Sequence, residues 1–376
     1  MIDTQTKEIE AAEVVLPARA FKDTLDFFTG TLGFRVEAIF PADNPAEASI
    51  AGHGARLRLE RAEQDGPPVT LRLRCHNPLA VAGGHTELTA PNGTRVLLVP
   101  ADLPVVIPPL QPELVIAKAN AAADWVVGRA GMRYRDLIPG RLGGRFIASH
   151  IAIPTAGLVP DYPHYHKVRF QMIFCRKGWV KLVYEDQGEP FLLEAGDCVL
   201  QPPRIRHRVL ECSGPLEVIE IGCPALHETF ADGEITLPTG VVNPARDFGG
   251  QRFVRHIAKG APWRKWRLDG YEARDIGIAA GTDGLAGVQV VRPKGSPETA
   301  AVSHDAEFVF LFVLAGTLTL RLDGQPAQRL GTDDSVVVPA GLRHALTDVS
   351  ADLEMLEVTL PAAFATVRHA DAALAA

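Results

Sequence analysis

The chain reads as a mainly β protein, two tandem jelly-roll barrels preceded by a small α+β module. Three observations predict this. Among 376 residues, Gly (34) and Pro (29) are abundant while runs able to form long amphipathic helices are scarce, as expected of many short strands joined by turns. One long pattern occurs twice in the C-terminal two thirds. The first ~100 residues lie outside that repeat and follow a different element order.

From the N-terminus, EVVLP is a short strand, and FKDTLDFFTGTLGF sets Phe21, Leu25, Phe28 and Leu32 at helical spacing before the Gly33 stop. RVEAIF, ASIAG and ARLRLER then read as three strands. This β-α-β-β-β order, with Phe27-Phe28 leading into Leu32-Gly33-Phe34, resembles one module of the glyoxalase/bleomycin-resistance (vicinal oxygen chelate) family. The stretch from PVTLRLRC to APNGTRVLLVP resembles a second, shortened half. The resemblance implies metal ligands on the first strand and the closing hairpin, where this chain has Glu13 and Leu97. We therefore expect residues 1–100 to be non-catalytic, structural or part of an interface, with His53 and His85 on the surface or in loops. Residues 101–129 read as linker and lead-in.

The repeat has four landmarks: His166 and His304, Gly178 and Gly316, Pro202 and Pro339, His207 and His344, separated by 138, 138, 137 and 137 residues. Within each copy, runs such as WVKLVYE, FLLEA and LEVIEIG, or TLTLRLD and VVVP, end in Gly, Pro or Asp turns and read as strands. Short strands at this spacing close into a small antiparallel barrel able to hold a ligand. The first copy is expected over 130–225, the second over 251–362, with 226–250 as connection and 363–376 as tail.

PHYHKVRFQ followed by GDCVLQPPRIRH carries the strongest chemistry. Residues two apart on a strand share a face, so His164 and His166 both project inward, and His207 lies on a later strand that closure brings alongside. Three imidazoles suit Fe, Zn, Ni or Cu. These residues resemble the cupin motifs G-x5-H-x-H-x3-4-E-x6-G and G-x5-P-x-G-x2-H-x3-N. Gln171 stands at the Glu position, Gly178 closes the first motif, and Gly196, Pro202 and His207 match the second. Gly157 falls one residue early, Arg204 replaces the inner Gly and Glu211 the Asn. The resemblance implies His164, His166, Gln171 and His207 as ligands of one divalent ion, Fe(II) first, with Zn, Mn or Ni as alternatives. Three neutral imidazoles and an amide leave the ion's charge uncompensated, which favours anionic chelating substrates.

In the second copy, Val302 and Val309 occupy the first-His and Glu positions, leaving a degenerate pair, His304 and His344. Asp305 and Glu307 sit at odd offsets from His304 and should face away. Tyr162, Tyr165 and Arg169 flank the first cluster, Tyr165 and Arg206 alternating outward. Glu217 and Glu220 are three apart on one strand and take opposite faces, so one of them can reach the cavity. Cys175 and Cys198 lie in apolar runs and read as buried small hydrophobes.

The formal net charge is −7 without a basic stripe, which argues against nucleic acid as a partner. No stretch reaches the ~20 apolar residues of a membrane span. The reading is a cytoplasmic protein with a small-molecule substrate, a homodimer being an open option. The resemblance implies a non-haem Fe(II) dioxygenase acting on a diketone, hydroxy-acid or phenolic. A redox-neutral isomerase or lyase using Zn, Mn or Ni, or a non-catalytic binding protein, are the alternatives.

Overall fold

The computed structural model describes residues 9–119 and 125–369. The chain divides into two compact units, Met1–Pro104 and Val105–Ala376.

In the first unit, strand Val14–Ala18 runs parallel to Ala55–Arg61, which continues antiparallel through Glu47–Gly52 to the edge strand Arg35–Phe40. The expected helix forms as Phe21–Asp26 with a wider turn over Phe27–Thr31, and it buries Phe21, Phe28 and Leu32. Gly33 ends it with φ +72°, a conformation that excludes most other residues. A three-stranded sheet (Thr70–Cys75, Arg95–Pro100, Glu87–Thr89) with a short helix, Pro78–Val81, follows. Leu16, Phe28, Ile50 and Leu59 share one core with Val96 and Leu98 of that second sheet.

The second unit contains two halves of matching topology, each a pair of facing sheets rather than a closed barrel. In the first half the large sheet runs Val254–His256, Cys198–Leu200, Phe170–Lys177, Leu216–Cys223, Ile147–Ile153, Arg133–Asp136, Val126–Val127. The small sheet runs Phe191–Glu194, Trp179–Tyr184, His207–Cys212, His164–His166, Thr229–Ala231. The second half repeats both sheets around Phe308–Ala315 and Ala301–His304.

Each half lends the other a strand. Val115–Ala117, within the stretch read as linker, pairs with Ser335–Val337 at the edge of the second half's large sheet. Val254–His256, at the start of the second copy, pairs with Cys198–Leu200 of the first. Each borrowed strand covers a ladder edge whose N–H and C=O groups would otherwise be unpaired.

The two large sheets also share one apolar core. Alternation along Phe170–Lys177 turns Phe170, Met172 and Phe174 toward Phe308, Phe310 and Phe312 of the other half, and Phe146 stacks on Phe308 with ring centroids 4.2 Å apart. Phe308→Ala is expected to destabilise the unit by about 3–5 kcal/mol, the usual cost of an aromatic cavity in a packed core. Urea denaturation followed by fluorescence should show the second unit's two halves unfolding together, because the core and the exchanged strands belong to both. Separate transitions for the two halves would contradict this.

Candidate metal centre

Strand His164–His166 lies between His207–Cys212 and Thr229–Ala231, with His164 directly opposite His207. Period-two alternation sends His164 and His166 inward, while Tyr165 stacks outside on Phe230 at 5.1 Å. The structure brings His164, His166 and His207 together, with ligand nitrogens all within 4.8 Å of one another. The Nδ1 atoms face backbone carbonyls: Tyr162 O at 2.8 Å for His164, Ile205 O at 3.0 Å for His207, Glu228 O at 3.3 Å for His166. A carbonyl only accepts, so each Nδ1 donates and each Nε2 keeps its lone pair.

Burial also holds the rings neutral. Desolvation, reinforced by the neighbouring imidazoles, pushes His166 down to about 3 and His207 well below its ordinary value. His164 is lowered by burial as well. Three neutral nitrogen donors of fixed tautomer fit a divalent transition-metal ion.

Gln171 is buried on the neighbouring large sheet, and its Nε2 donates to Glu220 Oε1 at 2.9 Å. The carbonyl oxygen is therefore the atom it can offer a cation. Of the two glutamates on strand Leu216–Cys223, Glu220 lines the cavity, whereas Glu217 faces away and accepts from His150 Nε2 at 3.0 Å.

The trio opens into a cavity of about 90 Å³ with walls that include Ile151, Ile153, Ile173, Leu182 and Val218. Several of its polar groups escaped the sequence reading. Arg129, assigned there to the linker, forms an ion pair with Asp161, whose side chain is fully buried. Its Nη2 lies 3.2 Å from His164 Nε2. Asp161 also accepts the Val209 amide at 2.9 Å. Tyr184 stacks on His207 at 5.5 Å and accepts from Gln201 Nε2 at 3.0 Å, and burial raises its pKa so that it stays protonated. One signal for Arg129 was present, since Arg267 follows it by the repeat offset of 138 residues.

The other flanking residues fall outside the cavity. Tyr162 is exposed, Arg169 pairs with Glu307 at 2.9 Å, and Arg206 pairs with Asp232 at 3.1 Å. Arg204, at the motif's inner-Gly position, adopts φ +65°, as does Gly341 at +78° in the second half. Both donate their amide to the preceding histidine's carbonyl, His166 or His304, at 2.8 Å. Cys175 and Cys198 are buried, and desolvation lifts Cys175 to about 12.

In the second half, Val302 stands opposite His344 where the first half sets His164 opposite His207. The His304 and His344 rings are 6.1 Å apart. His304 Nε2 lies 3.1 Å from Val338 O and His344 Nδ1 3.0 Å from Leu342 O. Among the described residues, no third His, Cys, Asp or Glu joins them in a cluster. Val302, Leu311, Val313, Leu320 and Leu346 fill the interior. Asp305 caps the Ala365 amide at 2.8 Å, and Glu307 is held by Arg145 at 2.6 Å and by Arg169.

The family model for the cupin domain matches residues 151–222 and 287–359. The chain carries two cupin domains. Among solved structures it is similar to salicylate 1,2-dioxygenase from Pseudoaminobacter salicylatoxidans bound to gentisate, at 14% identity and TM-score 0.51, over 71% of this chain and 87% of that one. It is also similar to Bacillus subtilis oxalate decarboxylase, at 11% identity and TM-score 0.50, over 68% and 79%. No curated protein matches the chain.

The buried pair in the second cupin domain makes a pH prediction. Burial pushes His344 from 6.5 to about 4. The unfolded chain takes up the proton first, so this contribution to stability is present above pH 6.5 and is lost as pH falls toward 4, on the order of 3 kcal/mol in full. His344→Asn, which keeps a donor for Leu342 O, should lose less stability between pH 7 and pH 4.5 than the unmodified protein in urea titrations. Equal losses would contradict the prediction.

Proposed function

We propose that the first cupin domain is a catalytic metal centre and that the protein is a non-haem Fe(II) dioxygenase for a small anionic substrate that chelates through oxygen, a diketone, hydroxy-acid or phenolic. The observation that carries this is the set of three neutral imidazoles whose Nε2 atoms face a confined, apolar-walled cavity. His164, His166 and His207 would hold the ion, with the Gln171 carbonyl as fourth donor. The bound ion would supply Lewis-acid activation of the substrate oxygens and a meeting place with O₂.

The remaining roles belong to the chain. Arg129, drawn off His164 Nε2 when that nitrogen ligates, is placed to pair with the substrate's negative charge. Asp161 keeps the Arg129 guanidinium at the cavity wall. Gln171 holds Glu220 where its carboxylate can take the proton of a substrate hydroxyl. The aliphatic walls exclude water and strengthen each of these interactions. Salicylate 1,2-dioxygenase, which shares this fold, is by its name an enzyme of an aromatic hydroxy-acid.

Glu220 also favours a second reading, a redox-neutral isomerase or lyase that uses Zn, Mn or Ni with this carboxylate as its base. We further read residues 1–100 as a non-catalytic, glyoxalase-like module, on its β-α-β-β-β order. We place the protein in the cytoplasm, and we retain 130–225 and 251–362 as the extents of the two cupin copies.

Elemental analysis of the purified protein should find about one divalent ion per chain, and His207→Ala should lose it at least ten-fold. Undiminished metal in that variant would sink the assignment. Oxygen uptake by anaerobically iron-loaded protein on β-diketones, phenolic acids and flavonols separates the two readings: uptake supports the dioxygenase, while substrate loss without uptake supports the redox-neutral enzyme.

A further inference from the structure

We propose that the second cupin domain holds a ligand site of its own, distinct from its histidine pair, that takes a small hydroxylated monocarboxylate such as a sugar acid. The inner face of its large sheet is apolar through Val291, Leu311, Val313 and Met355 and turns polar at one end. Glu357 and Thr359 are two apart on strand Glu354–Leu360 and share that face, and the register sets Gln289 opposite Glu357 and Gly287 opposite Thr359. With Arg267 and the C-terminal run from Ala362 to Thr366 they line a cavity of about 230 Å³, to which neither His304 nor His344 contributes.

Three of these side chains carry polar atoms without a partner among the described residues. Thr359 is 3% exposed, yet its hydroxyl makes no hydrogen bond there. Gly287 keeps that hydroxyl open, since a Cβ built at 287 would lie 2.8 Å from Thr359 Oγ1. The half-buried Gln289 amide is likewise unpartnered. Arg267 donates through Nη1 to the buried Glu357, which also accepts from Trp266 Nε1 at 3.0 Å. The Nε and Nη2 atoms of Arg267, the edge that meets a carboxylate with two parallel hydrogen bonds, are unused. Withdrawing such groups from water without a partner is costly, and a ligand that pairs them recovers that cost.

The charges in the wall set the head group. Arg267 and Lys265 line the cavity against one carboxylate, Glu357, so a ligand with a single negative charge balances them. Asp269, 2.6 Å from Lys265, stands with it on the exposed surface, where solvent weakens the pair. A second charge on the ligand would meet Glu357 with no cation left for it. The body of the ligand follows from Thr359 and Gln289. An aliphatic chain would leave both unpaired, whereas hydroxyl groups can donate to and accept from each. The Arg267 guanidinium packs over the Trp266 ring at 4.1 Å and lies 5.3 Å from the Phe364 ring, contacts that hold its free edge in place.

Calorimetric titration of the full chain, stripped of metal by a chelator and dialysed, tests the site with D-gluconate as the probe. One saturable site per chain is expected, with sorbitol, which lacks the charge, and hexanoate, which lacks the hydroxyls, each weaker by about ten-fold or more. Thr359→Val and Gln289→Leu keep the Arg267–Glu357 pair and should each weaken gluconate by about ten-fold, with the circular dichroism unchanged. Gluconate binding that appears only in metal-loaded protein would belong to the centre of His164, His166 and His207 and would overturn the proposal. So would the absence of saturable binding, undiminished affinity in either variant, or sorbitol or hexanoate binding as tightly as gluconate.

Discussion

The packing of two large sheets back to back through their phenylalanines is the constraint on which the rest of the C-terminal unit depends. With Phe170, Met172 and Phe174 committed to the shared core, the period-two geometry of a strand leaves Gln171 and Ile173 no direction but inward. The same sheet presents Glu220 one strand over, within reach of the Gln171 amide. The shared core thus fixes one wall of the cavity, and the small sheet carrying His164, His166 and His207 closes on it from the opposite side. A shift of register by one residue would exchange the aromatic and polar faces and remove both the core and the site.

Duplication left the two halves free to diverge once they shared that core. The second half kept the packing residues and replaced the ligand positions with Val302 and Val309, so that apolar side chains now fill the space occupied in the first half by a cavity. A buried pair of histidines remains, with His304 Nε2 engaged by the Val338 carbonyl rather than facing open space. Divergence ran in the opposite direction at the junction between the halves. There His150 of the first copy and Asp333 of the second stand around Arg135, while Val290 and Gly196 take the matching places around Arg274, beside a cavity.

Much of this was legible in the sequence because it is local or periodic. The spacing of His164 and His166, the 137- and 138-residue offsets, and the β-α-β-β-β order of the first unit all depend on strand alternation and on turns that a linear pattern records. The exchanged strands were not legible. Val115–Ala117 is three residues in a proline-rich stretch, and its partner lies more than two hundred residues away. Arg129 and Asp161 were missed for a related reason: Arg129 opens the single helical turn Arg129–Gly131 and Asp161 lies in a loop, and only the folded chain brings that arginine onto that carboxylate beside His164. The Glu220 and Glu217 pair was legible to the point of opposite faces, and the assignment of the inward face needed the register against Phe170–Lys177.

Charge balance ties the proposed substrate class to these residues. As described, the positive Arg129 and the buried negative Asp161 neutralise each other at the mouth of the imidazole trio, and Glu220 is hydrogen-bonded by an amide rather than by a cation. A divalent ion held by neutral donors would bring the cavity from one net negative charge to one net positive charge. In an apolar-walled space an unbalanced charge is costly. A substrate carrying one negative charge restores neutrality, and it does so beside Arg129, which must leave His164 Nε2 for that nitrogen to serve as a ligand. A glutamate at position 171 would make the ion-loaded cavity neutral by itself and remove the preference. On the proposed reading, the amide at Gln171 would therefore be the residue that turns a general metal site into one that selects an anion.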